Sequence, residues 1–271
     1  MSSNPGPERF RDGADKYAAY LQTREGRLRL DLAFANLWDF LPQPSQSLIA
    51  LDIGCGTGVM AVRLAQLGLH VRLLDTSLPM LDLAKHAAVE AGVADKIDLR
   101  QGDAAELETL FPAGSFDVIL CHNILEYVED PVPVLRGVAR ALRDPAGIVS
   151  ILLRNRTGEV LKAAIHDCDL DAAEQNLTAA WATESLYGGR VRLFEPRGLR
   201  AMLTAASLAV TAERGVRVIS DYLPQSAAGG YEYKRIFEIE RKLGQRSDFD
   251  AVARYTQCIA HREWPAPVVS S

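Results

Sequence analysis

The sequence predicts an α/β protein built on a doubly wound parallel sheet. Apolar segments of strand length alternate with segments of helix length across residues 47–153, and such alternation is typical of repeated β-α-β units. The first apolar segment, residues 47–53, carries apolar residues at consecutive positions, as expected for a strand that is covered on both faces. A chain of 271 residues fits one domain with an extension or insertion better than two full domains.

The first element precedes the sheet. Residues 27–41 place leucine and aromatic side chains at helical spacing, and Pro42 and Pro44 follow them, so a helix ending near residue 41 is predicted. We therefore treat residues 1–44 as an N-terminal helical extension. The strands predicted next lie at 47–53, 70–75, 96–100, 116–121 and 147–153. The helices predicted between them lie at 59–67, 77–91 and 131–142.

The alternation stops after residue 155. The segment 157–193 is rich in acids and lacks a strand pattern, so we predict a small helical insertion or cap there. Two helices, at 195–206 and 231–243, and two strands, at 208–213 and 252–261, are predicted to complete the sheet. The whole chain, 1–271, is then a single domain.

Composition limits the classes of function. The net charge of −5 excludes a globally basic nucleic-acid binder, but it allows a local basic face. No apolar run is long enough for a membrane span and the first residues are polar, so a cytoplasmic protein without membrane contact is expected. The four cysteines are scattered, and His166 stands near Asp167 and Asp169 alone, so no metal site is predicted.

A glycine loop follows the first predicted strand. Gly54, Gly56 and Gly58 give the spacing G-x-G-x-G, and Asp52 stands two residues before the first glycine. Dinucleotide-binding loops have the spacing G-x-G-x-x-G, and a carboxylate at position 52 would repel a diphosphate. The loop therefore suits a ligand that carries an ammonium or a sulfonium group.

Two further acids end neighbouring strands. Asp75 ends the second strand, where a carboxylate can accept hydrogen bonds from a ribose diol. Asp103 follows the third strand and could accept from the exocyclic amine of adenine. Because the ends of parallel strands meet at one edge of the sheet, the loop and both acids predict one site for a positively charged adenosine compound.

These motifs resemble those of class I S-adenosylmethionine-dependent methyltransferases. The resemblance rests on LDIGCGTG at 51–58, on Asp75 with Ser77 and Met80 after it, on GDA at 102–104 and on FDVILCHNILEYVEDP at 116–131. It implies a Rossmann-like, mostly parallel seven-stranded sheet with an antiparallel last strand. It also implies S-adenosyl-L-methionine as the cofactor.

The flanks resemble one family more closely. EGRLR at 25–29, RNRTG at 154–158 and GVRVISDYL at 215–223 are similar to the tRNA 5-carboxymethoxyuridine methyltransferases, which methylate the carboxylate of a modified wobble uridine. The motifs and the resemblance together give these expected cofactor-binding residues: Arg29, Asp52, Gly54, Cys55, Gly56, Gly58, Asp75, Thr76, Met80, Asp103, Ala104 and His122. The expected partner of Arg29 is the methionine carboxylate.

A carboxylate acceptor is already ionised at neutral pH, so it needs a cation rather than a general base. Arg154, Arg156 and Arg197 are the candidate cations. Asn123 could orient an amine acceptor instead, and Tyr127, Tyr187 and Tyr222 could stack on an extruded base. Residues 190–217 hold six arginines and two glutamates, so part of this segment is predicted to face tRNA.

Two alternatives stay open at this level. One is an O- or N-methyltransferase that acts on a small molecule, and the other is a cofactor-binding protein without catalysis. The oligomeric state is not determined by the sequence.

Overall fold

A computed structural model describes residues 13–43, 48–143, 146–183, 189–223 and 232–263. Its strands are β1 (Ile49–Ile53), β2 (His70–Asp75), β3 (Ile97–Gln101), β4 (Val118–His122), β5 (Ile148–Arg154), β6 (Trp181–Thr183), β7 (Arg190–Arg192), β8 (Leu208–Val216) and β9 (Tyr255–Arg262). Its α-helices are α1 (Ala14–Gln22), α2 (Arg24–Trp38), α3 (Val59–Gln66), α4 (Leu78–Glu90), α5 (Leu107–Leu110), α6 (Pro131–Ala141), α7 (Arg156–Leu161), α8 (Leu170–Asn176), α9 (Pro196–Ala205) and α10 (Tyr233–Gly244).

The main sheet has seven strands in the order β3-β2-β1-β4-β5-β9-β8. Strands β1 to β5 pair in parallel, and β9 is antiparallel to both β5 and β8. The predicted fold class, including the antiparallel last strand, is confirmed. The strand order reverses between β1 and β4, and ligands of such sheets bind at this reversal, outside the carboxyl ends of the strands.

Helices cover both faces of the sheet. Side chains of α5, α6 and α9 form one core with the sheet, including Leu107, Leu135 and Leu203. Side chains of α2, α3 and α4 form the core of the opposite face, including Leu37 and Leu64. Both faces of the central strands are therefore buried, which explains their uninterrupted apolar sequence.

The N-terminal extension differs from the prediction of one helix over 27–41. It holds two helices, α1 and α2, and the Thr23 side chain caps α2 by accepting a hydrogen bond from the Gly26 N–H at 3.0 Å. Helix α1 buries only Ala14 and Leu21, which is too little for a visible apolar period. Helix α2 ends at Trp38 because the ring of Pro42 would meet the carbonyl four residues before it.

The predicted helical insertion at 157–193 also contains strands. Helix α7 continues into a π-helical turn over Lys162–His166, α8 follows, and β6 pairs with β7 in a separate antiparallel ribbon. Each of these strands has three residues, which is too short for a recognisable alternation. The predicted start of a helix at residue 231 lies outside the described residues, as does Tyr187. In the described part of the chain, no helix has both the length and the apolar character of a membrane span.

Candidate active site

The glycine loop connects β1 to α3 in a backbone conformation that favours glycine. Gly54 and Gly58 have φ values of 63° and 71°, in the left-handed region. A Cβ on Gly58 would lie 2.7 Å from the Ala84 Cβ, so the loop packs directly against α4. Gly54, Thr57 and Val59 line a cavity, so the loop and the N-terminus of α3 can contact a ligand there.

Asp75, the predicted ribose acid, holds this loop in place. Its Oδ2 accepts a hydrogen bond from the Gly56 N–H at 2.9 Å, and its Oδ1 accepts one from the Ser77 N–H at 2.9 Å. Burial raises the pKa of Asp75 even though these N–H groups favour its ionised form. Thr76 follows it before the start of α4, and the buried Met80 lies in the first turn of that helix.

Asp103 lies beside Asp75 at the same edge of the sheet. The Gly102 N–H donates to the Asp75 carbonyl at 3.1 Å, which joins the two strand ends. Asp103 itself is exposed and accepts from the Ala105 N–H at 2.9 Å, while Ala104 is buried. The structure thus brings the loop and both strand-end acids together, as the sequence predicts.

A cavity opens between this loop, the end of β4 and the helices α1 and α2. Its lining includes Tyr17, Arg29, Asp52, Gly54, Cys55, Thr57, Met60, His122, Asn123 and Leu152. Asp52 is 4% exposed. Burial, with a smaller effect of the Asp75 charge, raises the pKa of Asp52 to about 8. A cation in the cavity would favour the ionised form of this carboxyl.

Arg29 brings a buried positive charge into the cavity. Its side chain donates to the Asn123 Oδ1 at 3.0 Å and to the Tyr17 hydroxyl at 2.9 Å. Among the described residues its Nε has no hydrogen-bond partner, and no carboxylate forms an ion pair with it. A buried ion without a counter-ion costs several kcal/mol. The cavity is therefore suited to an anionic group at Arg29.

His122 is held as a neutral ring. Its Nε2 lies 2.8 Å from the Ser150 Oγ, which also accepts from the Gln257 side chain at 2.9 Å. Burial, together with the charge of Arg29, lowers the pKa of His122 to about 3. This imidazole contributes polar contacts at neutral pH, and a proton acceptor with so low a pKa is a weak general base.

From Arg29, a chain of polar contacts runs along the carboxyl ends of β4 and β5. The Asn123 side chain donates to the Glu126 Oε1 at 2.9 Å. The Arg154 N–H also donates to this oxygen at 2.6 Å, and the Arg154 Nε lies 3.8 Å from the Glu126 Oε2. The Arg154 guanidinium then donates to the Glu159 Oε1 at 3.2 Å.

The same chain returns to Arg29 through the start of β9 and the end of β8. Arg254 lies 2.6 Å from Glu159 and 3.6 Å from Asp221. Asp221 pairs with Arg217, and Arg217 donates to the Tyr20 hydroxyl at 3.1 Å. The Arg29 guanidinium lies 5.2 Å from the centroid of the Tyr20 ring, which closes the circuit.

We call this circuit the arginine ring. Its charged members are four arginines and three carboxylates: Arg29, Arg154, Arg217, Arg254, Glu126, Glu159 and Asp221. Tyr255 lies among them, with its ring centroid 5.7 Å from the guanidinium of Arg29 and 5.9 Å from that of Arg254. Burial alone would raise the pKa of Tyr255, but the arginine charges outweigh it and lower the pKa to about 8. The ring therefore carries one positive charge in excess.

The predicted acceptor residues do not all reach this site. Asn123 and Arg154 belong to the arginine ring. Arg156 forms a 2.5 Å ion pair with Glu195, and Arg197 is exposed on α9. The Tyr222 hydroxyl donates to the carbonyls of Gly158 and Val252, both at 3.4 Å. Of the predicted acceptor residues, Asn123 lines the cavity, whereas Arg154, Arg156, Arg197 and Tyr222 do not.

The basic segment 190–217 does not form one continuous face. Arg200 pairs with Glu213 at 2.7 Å, and Arg214 stacks on Phe40 at 5.6 Å. Arg217 is buried in the arginine ring. Among the described residues, no carboxylate forms an ion pair with the remaining arginines of the segment, Arg190, Arg192 and Arg197.

Several residues of the site were missed by sequence reasoning. Tyr17 and Tyr20 are three positions apart on α1, so they share one helix face, and this spacing was the available signal. Arg254 directly precedes the last strand, and Tyr255 is the first residue of that strand. Asp221 stands four residues after Arg217 and Glu159 five residues after Arg154, but only the fold brings Arg254 to both acids.

The histidine of the insertion, His166, pairs with the neighbouring Asp167. Asp167 accepts from the His166 ring at 2.8 Å and also pairs with Lys162. Within the described ranges, no group of three His, Cys, Asp or Glu side chains could hold a metal ion.

Comparison with known proteins places the chain among methyltransferases. Residues 51–151 match a family model described as a methyltransferase domain. The chain is 29% identical over 259 residues to the tRNA 5-carboxymethoxyuridine methyltransferase of Escherichia coli (strain K12), covering 93% of this chain and 95% of that protein. It is 33% identical over 173 residues to the ubiquinone biosynthesis O-methyltransferase of Caulobacter vibrioides, covering 64% of each protein.

A solved structure supports the fold. The crystal structure of an S-adenosylmethionine-dependent methyltransferase from Mesorhizobium loti has a TM-score of 0.57 at 20% identity. It covers 86% of this chain and 100% of that one. The domain match and the E. coli relative confirm the prediction of a methyltransferase.

Proposed function

We propose that this S-adenosylmethionine-dependent methyltransferase esterifies the carboxylate of 5-carboxymethoxyuridine at the wobble position of tRNA. The observation that carries the proposal is the similarity to the E. coli tRNA 5-carboxymethoxyuridine methyltransferase, which covers 93% of this chain. The arginine ring supports it, because the guanidinium of Arg154 matches a carboxylate in charge and geometry and would repel a protonated amine.

We expect the cofactor to bind in one orientation. The Arg29 guanidinium, which has no carboxylate partner among the described residues, would hold the methionine carboxylate, and Asp52 would face the ammonium or the sulfonium. Asp75 would accept from the ribose hydroxyls, and Asp103 from the adenine amine. The remaining expected contacts are Gly54, Cys55, Gly56, Gly58, Thr76, Met80, Ala104 and His122.

Methyl transfer from a sulfonium to a carboxylate requires little from the protein beyond the placement of these two groups. The bound cofactor supplies an electrophilic methyl group on its sulfonium. Arg154, fixed between Glu126 and Glu159, would hold the acceptor carboxylate in line with that methyl group. Asn123 keeps Arg29 and Glu126 in position. Arg156, Arg197 and Tyr222 remain predictions for contacts farther along the RNA.

His122→Gln should leave the maximal rate of methyl transfer within about tenfold of the wild type. Removal of a general base typically costs about 10²-fold to 10⁴-fold, and a neutral His122 is not expected to act as one. The measurement is kcat at saturating cofactor over a range of pH. A loss of more than about 10²-fold would assign proton transfer to this ring.

The proposal is tested by methyl transfer into bulk tRNA. The tRNA is taken from a strain that lacks the wobble carboxyl methyltransferase, and the protein is supplied with labelled S-adenosylmethionine at low and at high salt. We expect label in tRNA, with transfer that weakens as salt rises because phosphate contacts release counter-ions. Cofactor binding without label in tRNA would contradict the proposal and favour a small-molecule acceptor.

A further inference from the structure

The β6–β7 ribbon has one inner and one outer face. Trp181 pairs with Arg192, Ala182 with Val191 and Thr183 with Arg190. Val191 is fully buried, so the ribbon packs on the protein through Val191 and Ala182. Because side chains alternate along a strand, the opposite face presents Trp181, Thr183, Arg190 and Arg192.

This outer face holds two guanidiniums on one aromatic ring. The Trp181 ring centroid lies 5.0 Å from the Arg190 guanidinium and 4.6 Å from that of Arg192. Within the described residues, no carboxylate forms an ion pair with either arginine, whereas Arg156 and Arg200 each have one. The stack keeps two positive charges in fixed positions without neutralising them.

The ribbon is attached to the loop that follows β4. The Arg192 N–H donates to the Glu126 carbonyl at 2.9 Å, and its guanidinium donates to the Glu129 carbonyl at 2.6 Å. The side chain of Glu126 belongs to the arginine ring. In the same loop, the Asp130 carboxylate accepts from the Val132 N–H at 3.1 Å and so caps α6. The outer face therefore adjoins the acceptor side of the active site.

We propose that this outer face binds the sugar-phosphate backbone of the RNA next to the methylated nucleotide. The inference rests on the proposed function, since it assigns a surface to the tRNA. Guanidiniums match phosphates in geometry as well as in charge. On a chain of net charge −5, a local pair of unneutralised arginines can still attract RNA. Arg190 and Arg192 contact phosphates, and Trp181 is a positioning residue that holds them.

The test compares single substitutions by their steady-state constants for tRNA. Arg190→Ala should raise the KM for tRNA about tenfold, leave kcat within about twofold, and reduce the salt slope of binding by about 1. Trp181→Leu should have the same effect, and Trp181→Phe should restore most of the affinity, because phenylalanine keeps an aromatic face. Lys85→Ala, at an exposed position on α4, is the control for loss of one positive charge.

A second methyl acceptor makes it possible to tell a failure of this inference from a failure of the proposed function. The modified nucleoside alone has no phosphates, so Arg190→Ala should leave transfer to it unchanged. If Arg190→Ala leaves the KM for tRNA unchanged, or slows the nucleoside reaction equally, the ribbon is not the phosphate-binding surface. If the wild type transfers no methyl group to tRNA, the proposed function fails instead. In that case, wild-type affinity for tRNA in a filter-binding assay, compared with Arg190→Ala, still decides whether the ribbon binds RNA.

Discussion

Replacing Arg29 with methionine should abolish cofactor binding without unfolding the protein. The Arg29 guanidinium is 5% exposed, and it contacts only neutral hydrogen-bond partners within the described chain. Loss of a buried partner costs about 3–5 kcal/mol, and the methionine carboxylate of the cofactor would lose such a partner. The affinity should therefore fall more than about 100-fold.

The ligand-free protein should respond differently to the same change. Methionine fills a similar volume and removes a buried charge that has no counter-ion among the described residues, which offsets the two lost hydrogen bonds. We expect the free energy of unfolding to stay within about 2 kcal/mol of the wild type. Urea unfolding and cofactor titration on the same sample measure both quantities.

Arg29→Lys is the matched control. It keeps the charge but loses the planar fork, so its affinity should fall less than that of Arg29→Met. An unchanged cofactor affinity in Arg29→Met would mean that the cofactor carboxylate lies elsewhere. A large loss of stability with unchanged affinity would make Arg29 purely structural.

Replacing Asp52 with asparagine should remove the pH dependence of cofactor affinity. Burial and the Asp75 charge raise the pKa of Asp52 to about 8 in the ligand-free protein, so the carboxyl holds a proton at neutral pH. A cationic ligand favours the ionised form, and binding then releases that proton. Affinity should therefore rise by up to about tenfold per pH unit below pH 8 and level off above it.

The Asp52 carboxyl should also make the free energy of unfolding depend on pH, in the opposite direction to cofactor affinity. Its pKa is raised above the unfolded value of about 3.9, so the native state retains a proton that the unfolded state loses. The free energy of unfolding should fall as pH rises from about 4 to about 8. Asp52→Asn should lack this fall and be more stable than the wild type above pH 8.

Calorimetric titration in two buffers of different ionisation enthalpy measures the released proton directly. Asp103→Asn, at an exposed position, is the control: it should weaken binding but keep the pH dependence. If the wild type released no proton near neutral pH, or if Asp52→Asn kept the full dependence, Asp52 would not face the cation.

The parts of the fold that follow local rules were predictable. Strands β1 and β4 are buried on both faces, and this burial requires the continuous apolar residues that predicted them. The glycine loop and Asp75 were placed correctly because parallel strands end at one edge. The β6–β7 ribbon could not be predicted, since three-residue strands leave no periodic pattern.

The arginine ring could not be predicted for a different reason. It joins Tyr20 and Arg29 near the start of the chain to Arg254 near the end, through contacts such as that between Arg217 and Tyr20. The count of charges along the sequence included Arg200, Arg214 and Arg217 in a basic segment, part of which was predicted to face tRNA. Folding gives Arg200 and Arg217 acidic partners and stacks Arg214 on Phe40, and these contacts depend on tertiary structure.

The central claim is that the acceptor is a carboxylate on tRNA, and the chemistry of the product tests it most directly. Labelled tRNA from the transfer reaction is treated with mild alkali, which hydrolyses esters and leaves methyl groups on nitrogen, carbon or ribose in place. The account predicts that the label is released as methanol and that the nucleoside regains its free carboxylate. Label that stays on the tRNA after alkali would contradict a carboxyl methyltransferase and place the methyl group on another atom.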